Sequence, residues 1–426
     1  MYKRSKIIFA LFLLAALMFF TSDFQLIDIE KTAIVAAIGI DYVDESTLEV
    51  TAQVAVPQAS DQTATNSDAL LSAKGSTLFA ALENISRETG WYPKLTFCNL
   101  IILGQSFVEH DFMPVVDYVL TSNRFLNSAV IATCEGSARE ILSSPTPLDY
   151  VSSFALQKVL LRNLDRASAV LVADVREICA LNRSRSSFFF MPLTKIVQAG
   201  DKPKWQTSST GSYSTAINAT PIAQGSGSGG KGGSESGQGG SECSKGGSQS
   251  SESGSTVFDA TKTVLFTNGK IACEFTAEQT LCYNVMTKRA RECFLPIIIN
   301  KNGNDVNALI SIIANDYKIL INTDKGIPQI TFSLDLICEK EETYLTENVK
   351  ELFQTGSVSD EGLLALKNKL TDEITRLFNL SKDTDCDFFK IKELLYKKHY
   401  QKYAAFKDNI LQIAKVKVEV NCKNRR

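Results

Sequence analysis

A tract of almost pure glycine and serine divides this 426-residue chain. Between Gly225 and Thr256, 12 glycines and 11 serines fill 23 of 32 positions, with no large apolar side chain among them. Such a segment has nothing with which to build a core, and it behaves as a flexible coil. Its Gly225-x-Gly227-x-x-Gly230 spacing is that of a dinucleotide loop, but no predicted strand or helix flanks it to fix the amides on a phosphate. The tract therefore predicts a disordered linker, residues 201–256, between two folded halves.

The charge balance excludes several classes of function. The chain carries 45 basic and 47 acidic residues, so it lacks the basic excess of a nucleic-acid-binding domain. Its two histidines, His110 and His399, are far apart in sequence, which leaves little material for histidine catalysis or a histidine metal site. We predict no nucleic-acid partner, no metal and no cofactor.

The ten cysteines are widely spaced. The closest pair is Cys273 and Cys282, and no CxxC motif is present, which disfavours zinc ribbons and thioredoxin-type sites. Several cysteines lie in apolar runs, where a thiol packs as a small hydrophobic group. We expect mostly buried, unpaired thiols, with one or two disulfides as the alternative.

The amino terminus has the pattern of an export signal. Basic residues precede an apolar run, Ile7–Phe20, and polar and acidic residues follow it. The run rises only about 21 Å as a helix, against a hydrocarbon core of about 30 Å, which fits a signal peptide better than a spanning helix. The bulky residues before position 21 do not form a cleavage site, so an uncleaved anchor at 1–25 is the alternative. Either way the positive-inside rule places the following residues outside the cytoplasm, and a buried core helix is the remaining alternative.

Residues 30–200 alternate between strand and helix patterns, which predicts a mixed α/β domain with a possible subdivision near residue 136. Thr32–Ile40 and Thr47–Val56 predict a hairpin, in which Asp41 and Asp44 shape the turn rather than form a catalytic carboxylate pair. Further elements are predicted by periodicity: helices at 76–89, 107–120, 138–142 and 159–181, and strands at 95–103, 128–133 and 188–197.

Residues 257–426 predict a second, α+β domain. Asn268-Gly269 is a strong hairpin signal between two strand patterns. Period-two patterns follow, and then the apolar spacing of an amphipathic helix at Glu361–Asn379. The remaining predictions are strands at 306–312, 317–321, 329–337 and 413–420, and a helix at 388–403. The fold class is therefore α+β (mixed α/β), with two to three mixed-sheet domains behind an amino-terminal hydrophobic helix.

Taken in order, these segments resemble the Ger(x)C family, the C subunits of bacterial spore germinant receptors. The resemblance covers about residues 30–422 without the linker, and no single motif is diagnostic. The segments that carry it are Ile34–Asp41, Val50–Val54, Phe97–Gly104, Arg124–Asn127, Asp385–Phe389, Leu395–Tyr400 and Val416–Val420.

The resemblance implies a non-enzymatic subunit that takes part in nutrient-induced germination with membrane-embedded A- and B-type partner subunits. It also implies a position on the extracytoplasmic face of the spore inner membrane. The expected membrane contact through residues 7–20 follows from the apolar run itself. Members of the family are typically lipoproteins, whereas the first cysteine here is Cys98, so lipidation just after the apolar run is excluded. The glycine-serine tract is also longer than the usual connection in the family.

A basic, tyrosine-rich stretch near the carboxyl terminus is the candidate contact surface. Residues 388–426 hold 11 basic and 3 acidic residues. They could form a face toward acidic lipid headgroups or toward a partner subunit, or simply a solvated helix face with its aromatic side chains in the core. The lysines of this predicted basic face are Lys390, Lys397, Lys398, Lys402 and Lys407.

Two other functions stay open on the sequence. A free-standing extracytoplasmic binding protein for a small solute or cell-wall fragment predicts a preformed pocket between the halves. An enzyme of unrecognised type predicts titratable groups that converge in a pocket with perturbed pKa values.

Overall fold

The structure is a computed structural model that describes residues 9, 11–14, 31–55, 68–146, 149, 151–162, 170–198, 256–287, 293–301, 304–323, 327–344 and 354–425. The strands are β1 (Thr32–Asp44), β2 (Thr47–Ala55), β3 (Asp68–Gly75), β4 (Tyr92–Lys94), β5 (Leu100–Leu103), β6 (Val130–Cys134), β7 (Ala173–Asp174), β8 (Phe188–Gln198), β9 (Thr256–Thr267), β10 (Lys270–Phe275), β11 (Cys293–Lys301), β12 (Asn304–Asn322), β13 (Gln329–Tyr344), β14 (Gln354–Gly356) and β15 (Lys415–Asn424). The helices are α1 (Leu78–Thr89), α2 (Gln105–Val108), α3 (Met113–Thr121), α4 (Ala138–Ser143), α5 (Ser152–Arg162), α6 (Val175–Asn182), α7 (Ala277–Met286), α8 (Asp360–Asp383), α9 (Ile391–Lys398), α10 (Tyr400–Phe406) and α11 (Ile410–Ile413).

The first sheet is mixed. Among the described residues its main strand order is β10-β9-β8-β6-β5-β1-β2-β3, while β4 pairs with β1 and β7 pairs with β6. The predicted β1–β2 hairpin is confirmed, with Asp44 opposite Thr47 at its turn. Strands β1, β5, β6 and β8 are parallel, so their amino ends meet at one end of the sheet. The sheet continues from β6 to β8, past the possible subdivision near residue 136.

The sheet also continues across the glycine-serine tract, and here the structure differs from the expectation of a tether between separate halves. Strand β8 ends at Gln198 and pairs antiparallel with β9, from Phe188 opposite Thr267 to Gln198 opposite Thr256. Residues 199–255, which hold all of the tract except Thr256, lie outside the described residues. The tract is thus an insertion between two neighbouring strands of one sheet. The strands pair despite it, because pairing buries the apolar residues of β8 and β9 together. The predicted Asn268-Gly269 hairpin of β9 and β10 is present, but as part of the first sheet.

The second sheet is built on the long strands β12 and β13. Its order is β11-β12-β13-β14, with β15 parallel to β13. The two strands predicted at 306–312 and 317–321 form one continuous strand, β12. The predicted amphipathic helix is present as α8, which begins after its cap Ser359 and buries Leu366, Leu370, Ile374 and Leu377. The mixed α/β fold class is therefore confirmed.

One hydrophobic core runs through both sheets. It includes Phe190 and Phe266 of the first sheet, Phe332 of the second, and Phe388 and Phe389, which precede α9. The Phe275 and Phe388 ring centroids lie 5.1 Å apart, and those of Phe332 and Phe389 lie 4.8 Å apart. A smaller core on the other face of the first sheet packs against α4 and α5. Residues on both sides of the tract therefore share buried apolar surface, the main source of stability in a folded domain.

Nine cysteines lie in the described part of the chain; no disulfide joins any two of them, and seven are buried. Burial raises the pKa of Cys98 and of Cys134 to about 12, which keeps both side chains protonated at neutral pH.

The predicted membrane contact at 7–20 falls mostly outside the described residues; Phe9 and Leu11–Leu14 are helical and exposed. Within the described ranges, no helix combines the length and the hydropathy needed to cross a bilayer.

Candidate functional site

The predicted basic face lies on two short helices rather than on one. The helix predicted at 388–403 is interrupted at His399, whose φ of -135° and ψ of 51° are not helical, and α9 ends and α10 begins there. Lys390 precedes α9 with a left-handed φ of 61°, Lys397 and Lys398 form the last turn of α9, and Lys402 lies in α10. All five predicted lysines, including Lys407 after α10, are exposed.

Two of these lysines already have partners. The Lys397 ammonium lies 2.7 Å from a Glu393 carboxylate oxygen, one turn earlier on the same helix. The Lys402 ammonium donates to the backbone carbonyl of Thr323, 2.9 Å away, and so fixes α10 to the second sheet. Exposed ion pairs of this kind contribute little to stability. Lys390, Lys398 and Lys407 therefore present the charge that a partner would meet first.

Arg185 joins this face from the first sheet. It lies in the loop before β8, and its guanidinium is 4.7 Å from the Tyr396 ring centroid and 6.0 Å from that of Tyr403. Tyr396 also packs edge-to-face on Tyr400 and on Tyr403, with centroids 5.3 Å and 5.1 Å apart. Cation–π contacts of this geometry hold the guanidinium plane against the rings. We define the basic aromatic surface as Arg185, Tyr396, Tyr400 and the five lysines named above.

A buried carboxylate holds the surface in place. Asp387 has no exposed surface, and its oxygens accept hydrogen bonds from the backbone N–H of Ile391 at 2.8 Å and of Lys392 at 2.7 Å, which caps α9. The Ser186 hydroxyl donates to the same carboxylate at 2.6 Å. Burial raises the pKa of Asp387 to about 6, although the hydrogen bonds oppose the shift. Ser186 follows Arg185, so two consecutive residues of the first sheet's loop fix the helix that carries the lysines.

Neither Arg185 nor Ser186 was predicted from the sequence, because the polar loop before β8 has no pattern that points to residues some 200 positions later. Asp387 was recognised only as part of a segment that resembles the family. Read as an N-cap, Asp387 would start the helix at residue 388, as predicted, whereas α9 begins three residues later, after Lys390.

A small cavity lies beside the surface, between the two sheets. Its volume is about 250 Å³. The buried hydroxyl of Tyr317 has no hydrogen-bond partner among the described residues, and that of Tyr283 donates to the Phe388 carbonyl at 2.7 Å. The lining consists of aromatic side chains with a few polar groups: Phe188, Phe190, Tyr283, Thr287, Tyr317, Phe388, Phe389 and Lys390.

The two aspartates of the β1–β2 hairpin have separate roles. Asp44 accepts from the backbone N–H and the hydroxyl of Ser46, which confirms its role in the turn. For Asp41 the turn assignment was wrong. Its buried carboxylate accepts from the Ser137 hydroxyl and the backbone N–H groups of Ala138 and Arg139, at the start of α4. The parallel arrangement of β1 and β6 places the carboxyl end of β1 beside the loop before α4.

The two histidines lie on different elements. His110 is exposed, with Nδ1 2.9 Å from the Ser106 carbonyl oxygen, and His399 is half-buried at the break between α9 and α10. Within the described ranges, histidine, cysteine, aspartate and glutamate side chains do not group in a way that could hold a metal ion.

Comparison with known proteins gives matches to two family domains that lie in order along the chain. The spore germination protein N-terminal domain matches residues 25–196, and the spore germination B3/GerAC-like C-terminal domain matches residues 261–426. No curated protein matches the chain. The crystal structure of the GerBC protein matches 92% of this chain and 97% of its own, with 11% sequence identity and a TM-score of 0.49. Because the two family domains together account for most of its length, the chain belongs to the GerAC-like family of spore germination proteins.

Proposed function

We propose that this protein is a non-enzymatic, membrane-anchored subunit of a nutrient-germinant receptor, on the extracytoplasmic face of the spore inner membrane. It acts through contacts with membrane-embedded A- and B-type partner subunits, and the basic aromatic surface is the part that meets them. Family membership supports the germination role, and the apolar run at 7–20 supports the anchor.

The observation that carries this proposal is that the basic aromatic surface is preorganised. Asp387 caps α9 from inside the core, Ser186 ties that cap to the first sheet, and Arg185 fixes the orientation of Tyr396. A surface held in this way loses little conformational entropy when a partner binds. Arginine and tyrosine are also the residue types in which the binding energy of protein interfaces concentrates.

Charge reversal of two lysines tests the proposal. Lys398→Glu with Lys407→Glu changes exposed residues that lie outside the core. We expect the variant to fold normally but to lose co-purification with the membrane-embedded receptor subunits from spore membranes. A matched control, Lys74→Glu with Lys367→Glu, makes the same charge change at exposed positions on β3 and α8 and is expected to co-purify fully. Equal recovery of partners with both variants would refute the assignment of the surface.

The same two variants distinguish a protein partner from lipid headgroups. If the surface bound acidic lipid, the Lys398→Glu, Lys407→Glu variant would lose salt-sensitive binding to phosphatidylglycerol vesicles in the absence of any partner. Binding to vesicles that is equal for both variants supports the protein partner.

Among the described residues, the cavity between the sheets is one place where a solute could bind. Its volume of about 250 Å³ lies below the ~300–1,000 Å³ typical of small-molecule sites. We therefore favour the partner-binding function over the alternative of a free-standing extracytoplasmic binding protein.

A further inference from the structure

A second exposed surface lies at the start of the first sheet. Phe79, Trp91 and Phe97, which we name the aromatic patch, are 44%, 48% and 53% exposed. Single exposed apolar side chains are common, whereas several exposed aromatic residues on adjoining elements indicate an interaction surface. Cations lie against two of these three rings. The Arg124 guanidinium lies 5.0 Å from the Phe79 ring centroid, and the Lys94 ammonium lies 5.9 Å from that of Phe97.

Local structure explains why these rings are outside the core. Helix α1 ends at Gly90, whose left-handed φ of 74° turns the chain sharply before Trp91. The short strand β4 follows, in which Pro93 is buried while its neighbour Lys94 is exposed. Arg124 also lies 5.7 Å from the Tyr92 ring centroid, so the strand connects the Phe79 side of the patch to the Phe97 side.

The patch borders the point at which the chain enters the sheet. Strand β4 pairs in parallel with the first residues of β1, with Thr32 opposite Tyr92 and Ile34 opposite Lys94. The apolar run ends at Phe20, so residues 21–31 connect it to β1. Eleven residues span at most about 40 Å when fully extended. A chain anchored in a bilayer through residues 7–20 therefore keeps this end of the sheet within about 40 Å of the membrane.

The basic aromatic surface lies at the same end. Strands β1, β5, β6 and β8 are parallel, and Arg185 lies just before the amino end of β8. Three strand spacings, about 14 Å, separate β1 from β8 across the sheet. The opposite end carries Val43 near the end of β1, and Gln198, where the chain enters the glycine-serine tract. The entry of the chain, the aromatic patch and the basic aromatic surface thus share one end of the molecule.

The composition of the patch fits a lipid interface. Tryptophan and other aromatic rings are favoured at the level of the lipid headgroups, and lysine and arginine extend from apolar surroundings toward the phosphates. We propose that the aromatic patch inserts into the headgroup region of the membrane that anchors the chain and so fixes the orientation of the sheet. This inference rests on the anchoring through residues 7–20 that is part of the proposed function.

Tryptophan fluorescence tests the inference. The chain has two tryptophans, Trp91 and Trp205, the second of which lies outside the described residues. The full chain with Trp205→Phe is reconstituted into vesicles of phosphatidylcholine and phosphatidylglycerol whose acyl chains carry bromine near the headgroup. The matched control carries Trp205→Phe, Trp91→Phe and Val43→Trp. Val43 is 45% exposed on the same strand, about 36 Å from Thr32 at ~3.3 Å per residue.

We expect the emission of Trp91 to shift to shorter wavelength and to be quenched at least about twofold more than that of the tryptophan introduced by Val43→Trp. Flotation with the vesicles, measured on the same samples, reports the anchoring separately. If the protein floats with the vesicles but quenching is equal at the two positions, the aromatic patch does not insert into the membrane, although the chain is anchored. A protein that fails to float would overturn the anchoring, and this inference with it.

Discussion

Replacement of the glycine-serine tract by a short turn has an outcome that depends directly on the pairing of β8 with β9. Gln198 lies opposite Thr256, so the 57 residues 199–255 connect two positions that are already neighbours in the sheet. A four-residue turn can span that distance without moving either strand. A tether between two independent bodies could not be shortened in this way without forcing them into a new arrangement.

The magnitude follows from the entropy of loop closure. Each doubling of loop length costs about 0.6 kcal/mol, and the change from 57 residues to four is nearly four halvings. We therefore expect the free energy of unfolding to rise by about 2 kcal/mol in the shortened protein. Urea denaturation followed by far-ultraviolet circular dichroism measures the change. The control replaces 199–255 by a shuffled sequence of the same length and composition, and its free energy of unfolding should equal that of the parent.

Two results would refute this reasoning. A shortened protein that is less stable than the parent would show that the connection is not a loop between paired strands. Two separated unfolding transitions in the parent would show that the two sheets do not share one core, because a continuous core unfolds as a unit.

Three further predictions concern buried and half-buried contacts. Asp387→Asn removes a carboxyl group whose pKa is raised from its usual 3.8 to about 6. Because the folded state holds this proton more tightly than the unfolded state, the free energy of unfolding of the wild type relative to the variant should be highest below about pH 4. It should fall by about 3 kcal/mol as the pH rises through 6. Urea unfolding of both proteins at pH 4 and pH 7.5 measures this, and an advantage that grows with pH would contradict it. Gly104→Ala should lower the free energy of unfolding by about 1–3 kcal/mol in the same assay, because a Cβ there would collide with the Asp41 carboxylate; an unchanged value would show that Asp41 can move away. Arg185→Ala should cost about 0.5–1 kcal/mol and change the near-ultraviolet circular dichroism of the tyrosines, with Arg185→Lys less affected, and an unaltered spectrum would argue against the stacking on Tyr396.

Local elements were largely predictable from the sequence, because hydrophobic period and turn chemistry are local properties. The Asn268-Gly269 hairpin and the amphipathic helix α8 are examples. The break at His399 was not predictable in this way, since Tyr396, Tyr400 and Tyr403 keep helical spacing through it. Helix α7 was also missed, although Thr276 and Gln279 form a capping box at its start.

The sequence could not predict which strands pair with each other across long separations in the chain. A tract without apolar residues indicates where the chain leaves the core, but not whether it returns to the same sheet. The partners of β9 are chosen by buried contacts such as the stacking of Phe189 on Phe266, at 4.9 Å between centroids, and these join residues far apart in the sequence. The candidate surface depends on the same long-range contacts, which is why its lysines were predicted and the residues that hold them, Arg185 and Ser186, were not.

Site-specific photo-crosslinking in spore membranes tests most directly the claim that the basic aromatic surface meets the membrane-embedded partner subunits. A photoreactive residue at Tyr400, which is 68% exposed, should crosslink to those subunits, and one at Val43, at the far end of the first sheet, should not. Crosslinks to the receptor subunits from Val43, or none from Tyr400 in membranes that contain the assembled receptor, would contradict the account.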